Sequence, residues 1–355
     1  MTANPGMDFL AALDAQWDAY RAQFKGGRRG ITEETIHDLR VAARRFLALL
    51  DIIAGLAPRP RVKELRRFLK KQLDQLDELR DAQVMLAEAG NRLRAIPQLD
   101  AFRGYLAQRA ASLTRAARKD LRDSRPSDLG KLVKRMRAVA EQHTTDARFF
   151  ERLLQSVDDA YSGVLRAVGK LDAADPATVH RVRIAFKRFR YTIETLQPLL
   201  PDYPKPYLAR MHAYQDAMGG IRDTTVFLDA LQKFEVRPSK PPQAGQLPLD
   251  RGPIERFYQK RLSRLMHAYF ERMDEYQQYW RAAPDQPFPW EQSHDPLHSA
   301  PRHRRRTGQQ QQRAAGQPAP SDGRGLQEDA PDRQGAEENG SADRLDPDQP
   351  LSSGR

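Results

Sequence analysis

A stretch of sequence occurs twice in this chain, and it restricts the fold more than any other feature. Residues 37–53 are HDLRVAARRFLALLDII, residues 180–196 are HRVRIAFKRFRYTIETL, and the two align without a gap at an offset of 143. A hydrophobic core requires apolar periodicity, but it does not require a histidine and three cations at the same places twice. We therefore infer an internal duplication whose polar residues serve something outside the core. The shared polar residues are His37, Arg40, Arg44 and Arg45 in the first copy and His180, Arg183, Lys187 and Arg188 in the second.

Both copies have the periodicity of an amphipathic helix, and we call them the first motif helix (37–53) and the second motif helix (180–196). Their apolar residues fall on one face when 3.6 residues are placed per turn. Phe46 lies on that face in the first copy, and Phe186 and Phe189 lie on it in the second. The histidines and most of the shared cations fall on a different face. Each helix is therefore predicted to pack one side in a core and to present cations elsewhere.

The body of the chain is predicted to be helical throughout, because apolar spacings of three and four persist and no segment sustains the alternation of a strand. Asp175 before Pro176 is typical of a helix start, and Thr32 is a weaker start signal. Gly26 and Gly27 predict the end of the first helix. The predicted helices cover residues 7–25, 32–56, 61–90, 97–122, 128–141, 146–170, 176–198, 205–235 and 252–282.

A second block is also repeated, which extends the duplication beyond the motif helices. LRDAQVML at 79–86 matches IRDTTVFL at 221–228, at an offset of 142. Pro58 and Pro201 each lie 21 residues after the histidine of their copy, and each is predicted to stop the motif helix. The Arg–Asp pairs of this block are predicted to form buried or interfacial ion pairs that fix helix packing, rather than to bind a ligand. They are Arg80–Asp81 and Arg222–Asp223.

These patterns predict an all-α fold made of a tandem repeat of two four-helix bundles with pseudo-twofold symmetry. Repeat one covers about 7–122 and repeat two about 128–282. Residues 284–355 are rich in Pro, Gln, Arg and Asp and poor in apolar residues, so we expect a disordered tail. The loop at 236–251 is expected to be a surface excursion, and the basic run at 302–306 is expected to be solvated.

The charge of the chain is concentrated in the helical body. The net charge is +12, yet residues 284–355 contain nine of the 59 cations and 12 of the 47 anions. Residues 1–283 therefore carry 50 cations against 35 anions. A balance this basic predicts an anionic partner, such as a nucleic acid, a membrane surface or another polyanion.

Composition also excludes several classes of function. The chain has no cysteine, which excludes disulfides, thiol catalysis and thiolate zinc sites. No apolar run approaches the ~20 residues of a membrane span, and the N-terminus has no secretion signal. We expect a cytoplasmic protein without membrane insertion.

The two motifs and the block that follows them resemble the CHAD family, the conserved-histidine α-helical domain. HDLRVAARRF, HRVRIAFKRFRY and the R-D-x-x-V-x-L blocks carry the resemblance, which covers essentially residues 7–282. The resemblance implies two four-helix units, binding of inorganic polyphosphate along a basic surface, and association with polyphosphate granules. Relatives are often fused to a triphosphate-tunnel domain. The chain has no E-x-E-x-K signature of that domain, so it looks like a stand-alone CHAD protein.

The resemblance implies that the motif cations and histidines contact polyphosphate. One departure concerns the residues before the Arg–Asp pair, where the family usually has glycine. The second copy has Gly219 and Gly220, whereas the first has Asp77 and Glu78, two carboxylates that are expected to lower its positive potential. The predicted polyphosphate-binding residues are His37, Arg40, Arg44, Arg45, Arg109, His180, Arg183, Lys187, Arg188, Arg190, Arg261 and Arg264.

Two other functions remain as alternatives at this stage. The same basic body could bind RNA or DNA weakly, although the motif aromatics lie on the core stripe rather than among the cations. The histidines could instead serve a phosphohistidine or metal-dependent enzyme, but no His-Glu-x-x-His helix is present. We therefore predict a non-enzymatic protein without cofactor or metal, whose tail could recruit granule-associated proteins.

Overall fold

The computed structural model describes residues 5–56, 60–124, 126–234 and 250–292. Within these ranges every regular element is a helix, which confirms the predicted all-α class. The 236–251 loop, apart from its last two residues, and the basic run at 302–306 lie outside the described residues. The α-helices are α1 (Pro5–Arg29), α2 (Glu33–Leu56), α3 (Pro60–Arg92), α4 (Asp100–Asp123), α5 (Pro126–Thr144), α6 (Phe149–Val168), α7 (Pro176–Leu196), α8 (Lys205–Lys233), α9 (Arg251–Glu271) and α10 (Pro289–Gln292).

Three short 3₁₀ helices join these elements. Pro97–Leu99 leads into α4, Gln197–Leu199 follows α7, and Met273–Gln278 follows α9. The ninth predicted helix was expected to run to residue 282, but α9 ends at Glu271 and the last of these 3₁₀ helices follows it. None of the helices in the described ranges is long and apolar enough to cross a membrane.

The local signals explain where the two motif helices begin. The Asp175 side chain accepts a hydrogen bond of 2.9 Å from the amide of Ala177, as predicted for a helix that starts at Pro176. Thr32 caps α2 in the same way, because its hydroxyl accepts a hydrogen bond of 3.1 Å from the amide of Thr35. The duplicated helices therefore start at well-defined residues, which fixes the register of their polar faces.

The prediction that Gly26 and Gly27 end the first helix was wrong, because α1 continues to Arg29. Gly27 serves packing instead. A Cβ at this position would lie 3.2 Å from Leu121 and 3.6 Å from Leu39, so the glycine allows α4 and α2 to approach the α1 backbone closely.

Within each copy, helices that follow one another in sequence pack together, and the order of these contacts is the same in the two copies. Helix α2 contacts α1 and α3, and α3 contacts α4. In the same way, α7 contacts α6 and α8, and α8 contacts α9. Helix α5 packs mainly on α1 and has no equivalent in the first copy. The two copies meet directly where α2 packs on α7 and α3 packs on α8. The pseudo-twofold symmetry of the copies stays a prediction.

One large core joins the two copies, and a smaller one lies between α3, α4, α8 and α9. Phe46, Phe186 and Phe189 are fully buried in the large core, as the periodicity predicted. The described chain also continues past the predicted boundary of the domain at Pro284. Phe288 and Trp290 stack on each other and pack against Trp280. The start of the predicted tail therefore packs on the helical body through aromatic side chains, which the overall polar composition of the tail did not indicate.

Candidate functional site

The two motif helices lie side by side and exchange ion pairs. Arg45 on α2 places its Nε 3.3 Å from a carboxylate oxygen of Glu194 on α7. In return, Arg188 on α7 places its Nε 3.4 Å from a carboxylate oxygen of Asp51 on α2. Arg45 corresponds to Arg188 in the alignment of the copies, and Asp51 corresponds to Glu194. Two copies related by a twofold axis produce this kind of reciprocal contact.

The cations of the first motif helix converge on a carboxylate of α3. Arg40 Nε lies 2.7 Å from Asp77 Oδ1, and Arg44 Nη2 lies 2.7 and 3.0 Å from the two oxygens of the same group. Burial acts to raise the pKa of Asp77, but the charges of Arg44 and Arg40 outweigh it and hold the pKa below its ordinary value. Asp77 therefore stays ionised and neutralises part of the positive charge of the first copy. The sequence predicted this effect, because Asp77 stands where the family usually has glycine.

The second motif helix reaches the same place. Lys187, the counterpart of Arg44, is close enough to Asp77 to contribute to the lowering of its pKa. Cations from both copies thus act on one carboxylate, near α2, which packs on both α3 and α7. The predicted cationic faces of the two motif helices are therefore not separate stripes but parts of one site.

A second set of charges continues this site along α8. Arg222 binds both oxygens of Asp81 on α3, at 2.9 and 2.5 Å, so the predicted interfacial ion pair forms between the copies. The symmetric pair does not form, because Arg80 binds Glu33 instead, at 3.1 Å. Arg183 lies next to Gly219, whose Cβ, if present, would be 4.0 Å from Arg183 Nε.

His180 lies among these cations and is half-buried. Burial lowers its pKa below the ordinary value for histidine, and the nearby charges of Arg222 and Arg183 lower it further. Its Nδ1 is buried and makes no hydrogen bond within the part of the chain that the structure describes. His180 is therefore neutral near pH 7 in the free protein, and an anion bound beside it would favour its protonated form.

We call this group of residues the central basic cluster. It combines five cations with three carboxylates and one neutral histidine, and it has side chains from four helices of both copies. Such an arrangement can bind an extended anion through several Arg forks and one Lys. Its members are Arg40, Arg44, Asp77, Asp81, His180, Arg183, Lys187, Arg222 and Asp223.

Arg190 does not belong to the cluster, which corrects its assignment as a ligand-binding residue. Its side chain is fully buried between α7 and α8. The guanidinium lies 2.6 Å from Glu194 Oε1 and 3.0 Å from Gln215 Oε1, and it also contacts His212. Packing by α8 covers this flank of the second motif helix, so Arg190 cannot reach a surface ligand without unfolding its surroundings.

The sequence did not single out His212 or its role. His212 Nε2 is 3.1 Å from Glu194, so this carboxylate receives contacts from α2, α7 and α8. Burial acts to raise the pKa of Glu194, but the hydrogen bond from His212 and the charges of Arg190 and Arg45 lower it below its ordinary value. Glu194 therefore anchors the second motif helix from inside the core.

Four further residues were predicted to bind polyphosphate: His37, Arg109, Arg261 and Arg264. His37 is half-buried one turn before Arg40 on α2. Arg109 pairs with Glu78 at 2.9 Å, which shows that the second carboxylate of the first copy is also used to bind a cation. Arg261 pairs with Glu88 at 2.5 Å across the copies, and Arg264 is exposed on the same helix.

No group of three or more His, Asp or Glu side chains able to hold a metal ion occurs in the described ranges. Exposed large apolar side chains in the same ranges are Met7, Phe150 and Ile184. Ile184 lies on the second motif helix beside Arg183 and Lys187, whereas Phe150, the aromatic member of this group, lies on α6.

The fold and the cluster define a class of protein, an all-helical protein with a duplicated basic motif. The model of the CHAD domain family matches residues 11–232, more than half of the chain. The chain therefore belongs to the CHAD domain family. Its structure is similar to the crystal structure of the CHAD domain from the plant Ricinus communis, with a TM-score of 0.52. The two share 23% sequence identity, over 75% of this chain and 87% of that one, so the likeness shows the fold. No curated protein matches this chain.

Proposed function

We propose that this protein binds inorganic polyphosphate, without turning it over, through the central basic cluster. The observation that carries the proposal is the pair of arginines of the first motif helix that bind Asp77. The charge of Lys187, from the second motif helix, acts on the same carboxylate, so cations of both copies influence one place. Membership of the CHAD family supports the same ligand.

The chemistry of polyphosphate suits this surface. The polymer carries about one negative charge per phosphate and presents no bases, so its reader needs spaced cations rather than base-reading groups. Arginine donates two hydrogen bonds to phosphate oxygens from a planar fork, and lysine adds a mobile point charge. Cations one helical turn apart on the motif helices, about 5 Å, can follow successive phosphates.

Nucleic acid is the competing ligand, and the position of the aromatic residues argues against it. Proteins that bind single strands stack bases on aromatic side chains placed among the cations. Phe46, Phe186 and Phe189 are instead fully buried. The cluster can neutralise a phosphate backbone, but its motif helices offer no ring to the bases.

Titration of fluorescently labelled long-chain polyphosphate against the whole protein tests this proposal. Removing one charged hydrogen-bond donor costs about 1.5–3 kcal/mol, so Arg183→Gln/Lys187→Gln should weaken binding by at least roughly tenfold. Lys131→Gln/Lys134→Gln removes the same charge from two exposed sites on α5 and is the matched control. An equal loss in both variants, with native circular dichroism, would show that binding follows net charge and not the cluster.

Competition and turnover assays separate the alternatives. RNA of matched charge should fail to displace labelled polyphosphate at equal concentration, and displacement would favour the nucleic-acid function. The protein should leave polyphosphate length unchanged on gels. Turnover that survives purification and disappears in His37→Ala would contradict the non-catalytic proposal.

We also propose that binding directs the protein to polyphosphate granules in the cytoplasm. A fluorescently tagged protein should colocalise with granules, and Arg183→Gln/Lys187→Gln should become diffuse. Granule association that persists in this variant would point to another determinant, such as the tail.

A further inference from the structure

We propose that Asp77 is an internal competitor for the anionic ligand at the central basic cluster, so that its carboxylate lowers the affinity for polyphosphate. This inference rests on the proposed function and adds a residue that sets its affinity. The carboxylate holds the place in the first copy that the ligand's phosphate would take.

The contacts of Asp77 are those expected of a bound anion. Its oxygens lie 2.7 Å from Arg40 Nε and 2.7 and 3.0 Å from Arg44 Nη2, distances typical of charge-assisted hydrogen bonds to phosphate or carboxylate. The positive charge of Lys187 acts on the same group from the second motif helix. Two guanidinium groups therefore bind one pair of side-chain oxygens, and the charge of Lys187 adds to their effect.

The exposure of these side chains shows that the carboxylate lies on the solvent side. Asp77 is 35% exposed, whereas Arg40 and Arg44 are 11% and 15% exposed. A polyanion that approaches from solvent meets the negative charge of Asp77 before it reaches the two guanidinium groups. Binding at the first copy must therefore overcome repulsion and replace contacts that already exist.

The second copy lacks this carboxylate. Gly219 aligns with Asp77, and Arg183 aligns with Arg40. A Cβ on Gly219 would meet Arg183 Nε at 4.0 Å, so an acidic side chain there could contact this arginine as Asp77 contacts Arg40. Arg183 instead interacts electrostatically with Asp223, one turn further along α8 and 48% exposed. The acidic neighbours of Arg40 and Arg183 therefore stand at positions that do not align, which allows the carboxylate at the Asp77 position to be tested by itself.

Exchanging the carboxylate between the copies tests the inference. Asp77→Ala removes the competitor, Gly219→Asp introduces one beside Arg183, and Gly219→Ala is the matched control that adds a Cβ without charge. Loss or gain of one charged hydrogen bond changes affinity by roughly tenfold. We expect tighter polyphosphate binding by about that factor in Asp77→Ala, weaker binding by a similar factor in Gly219→Asp, and little change in Gly219→Ala.

If Asp77→Ala fails to fold because Arg40 has lost its ion pair with Asp77, Gly219→Asp still tests the inference. Circular dichroism and thermal unfolding identify that case before titration. If the wild type binds polyphosphate but Gly219→Asp binds as tightly as Gly219→Ala, the inference is overturned while the proposed function stands. If none of the proteins, wild type included, binds polyphosphate, both are overturned.

Discussion

Arg190 offers a quantitative test of how the second motif helix is held in place. The perturbation is Arg190→Met, which keeps an unbranched apolar stem and removes the charged guanidinium group. The guanidinium is fully buried and is bound to Glu194, itself 9% exposed. The variant therefore leaves a buried carboxylate without its closest cation.

The size of the effect follows from this geometry. Removing one partner of a buried ion pair costs about 3–5 kcal/mol, because the other charge stays buried. Arg45 remains 3.3 Å from Glu194, so we expect the lower end of the range, about 3 kcal/mol in the free energy of unfolding. In a large domain, each kcal/mol lowers Tm by about 2–4 °C, which predicts a fall of roughly 6–12 °C.

Thermal unfolding followed by circular dichroism is the assay, and two further variants interpret it. Arg188→Met removes a 59% exposed cation from the same helix and should cost less than about 1 kcal/mol. Arg190→Met/Glu194→Gln removes the stranded charge as well and should recover part of the lost Tm. The reasoning is refuted if Arg190→Met unfolds at the wild-type temperature but no longer binds polyphosphate, because Arg190 would then act on the ligand.

Three other expectations concern binding and stability. The polyphosphate association constant, measured by titration, should fall steeply and linearly on a log–log plot against salt, because binding releases counterions as it does for nucleic acids; a flat response would contradict a multivalent basic site. The pKa of His180 is lowered in the free protein, and the bound anion favours its protonated form, so affinity should rise as the pH falls below the ordinary histidine value of 6.5. The same pH titration of His180→Gln should lack this rise, and an unchanged profile would exclude His180 from the site. Phe189→Ala should lower the free energy of unfolding in denaturant by about 3–5 kcal/mol, because Phe189 is fully buried, and a loss below 1 kcal/mol would contradict that burial.

The sequence contained most of the fold because the helices are strongly amphipathic. Apolar residues that recur three and four positions apart predicted each long helix. Asp175 followed by Pro176 predicted the start of α7. The end of the first helix was predicted wrongly because glycine has two structural roles. Glycine can end a helix or let two helices approach, and the contacts of Gly27 with Leu39 and Leu121 exist only after folding.

The sequence predicted which residues form much of the site, but it did not predict how they are arranged in space. The duplication identified Arg40, Arg44, Arg183 and Lys187 as one functional set, and the two carboxylates of the first copy were recognised as a departure. The convergence on Asp77 depends on how α2, α3 and α7 meet, which no linear pattern specifies.

Arg190 shows the opposite case, in which the sequence itself contains the distinguishing signal. A helical wheel places it at the edge of the cationic face, and a wheel cannot tell which edge a neighbouring helix covers. The alignment does distinguish it, because the corresponding residue of the first copy is Leu47. A position that is apolar in one copy is unlike the shared cations and is better explained by burial.

The reciprocal ion pairs between α2 and α7 have an evolutionary consequence. Duplication ordinarily leaves one copy free to diverge while the other keeps the original role. Here Arg45 and Asp51 of one copy form ion pairs with Glu194 and Arg188 of the other, so a change in either copy alters a contact that both share. The one difference among these four positions, Asp51 against Glu194, changes the length of a side chain and keeps its sign. At this junction the two copies differ in side-chain length and keep the same pattern of charge.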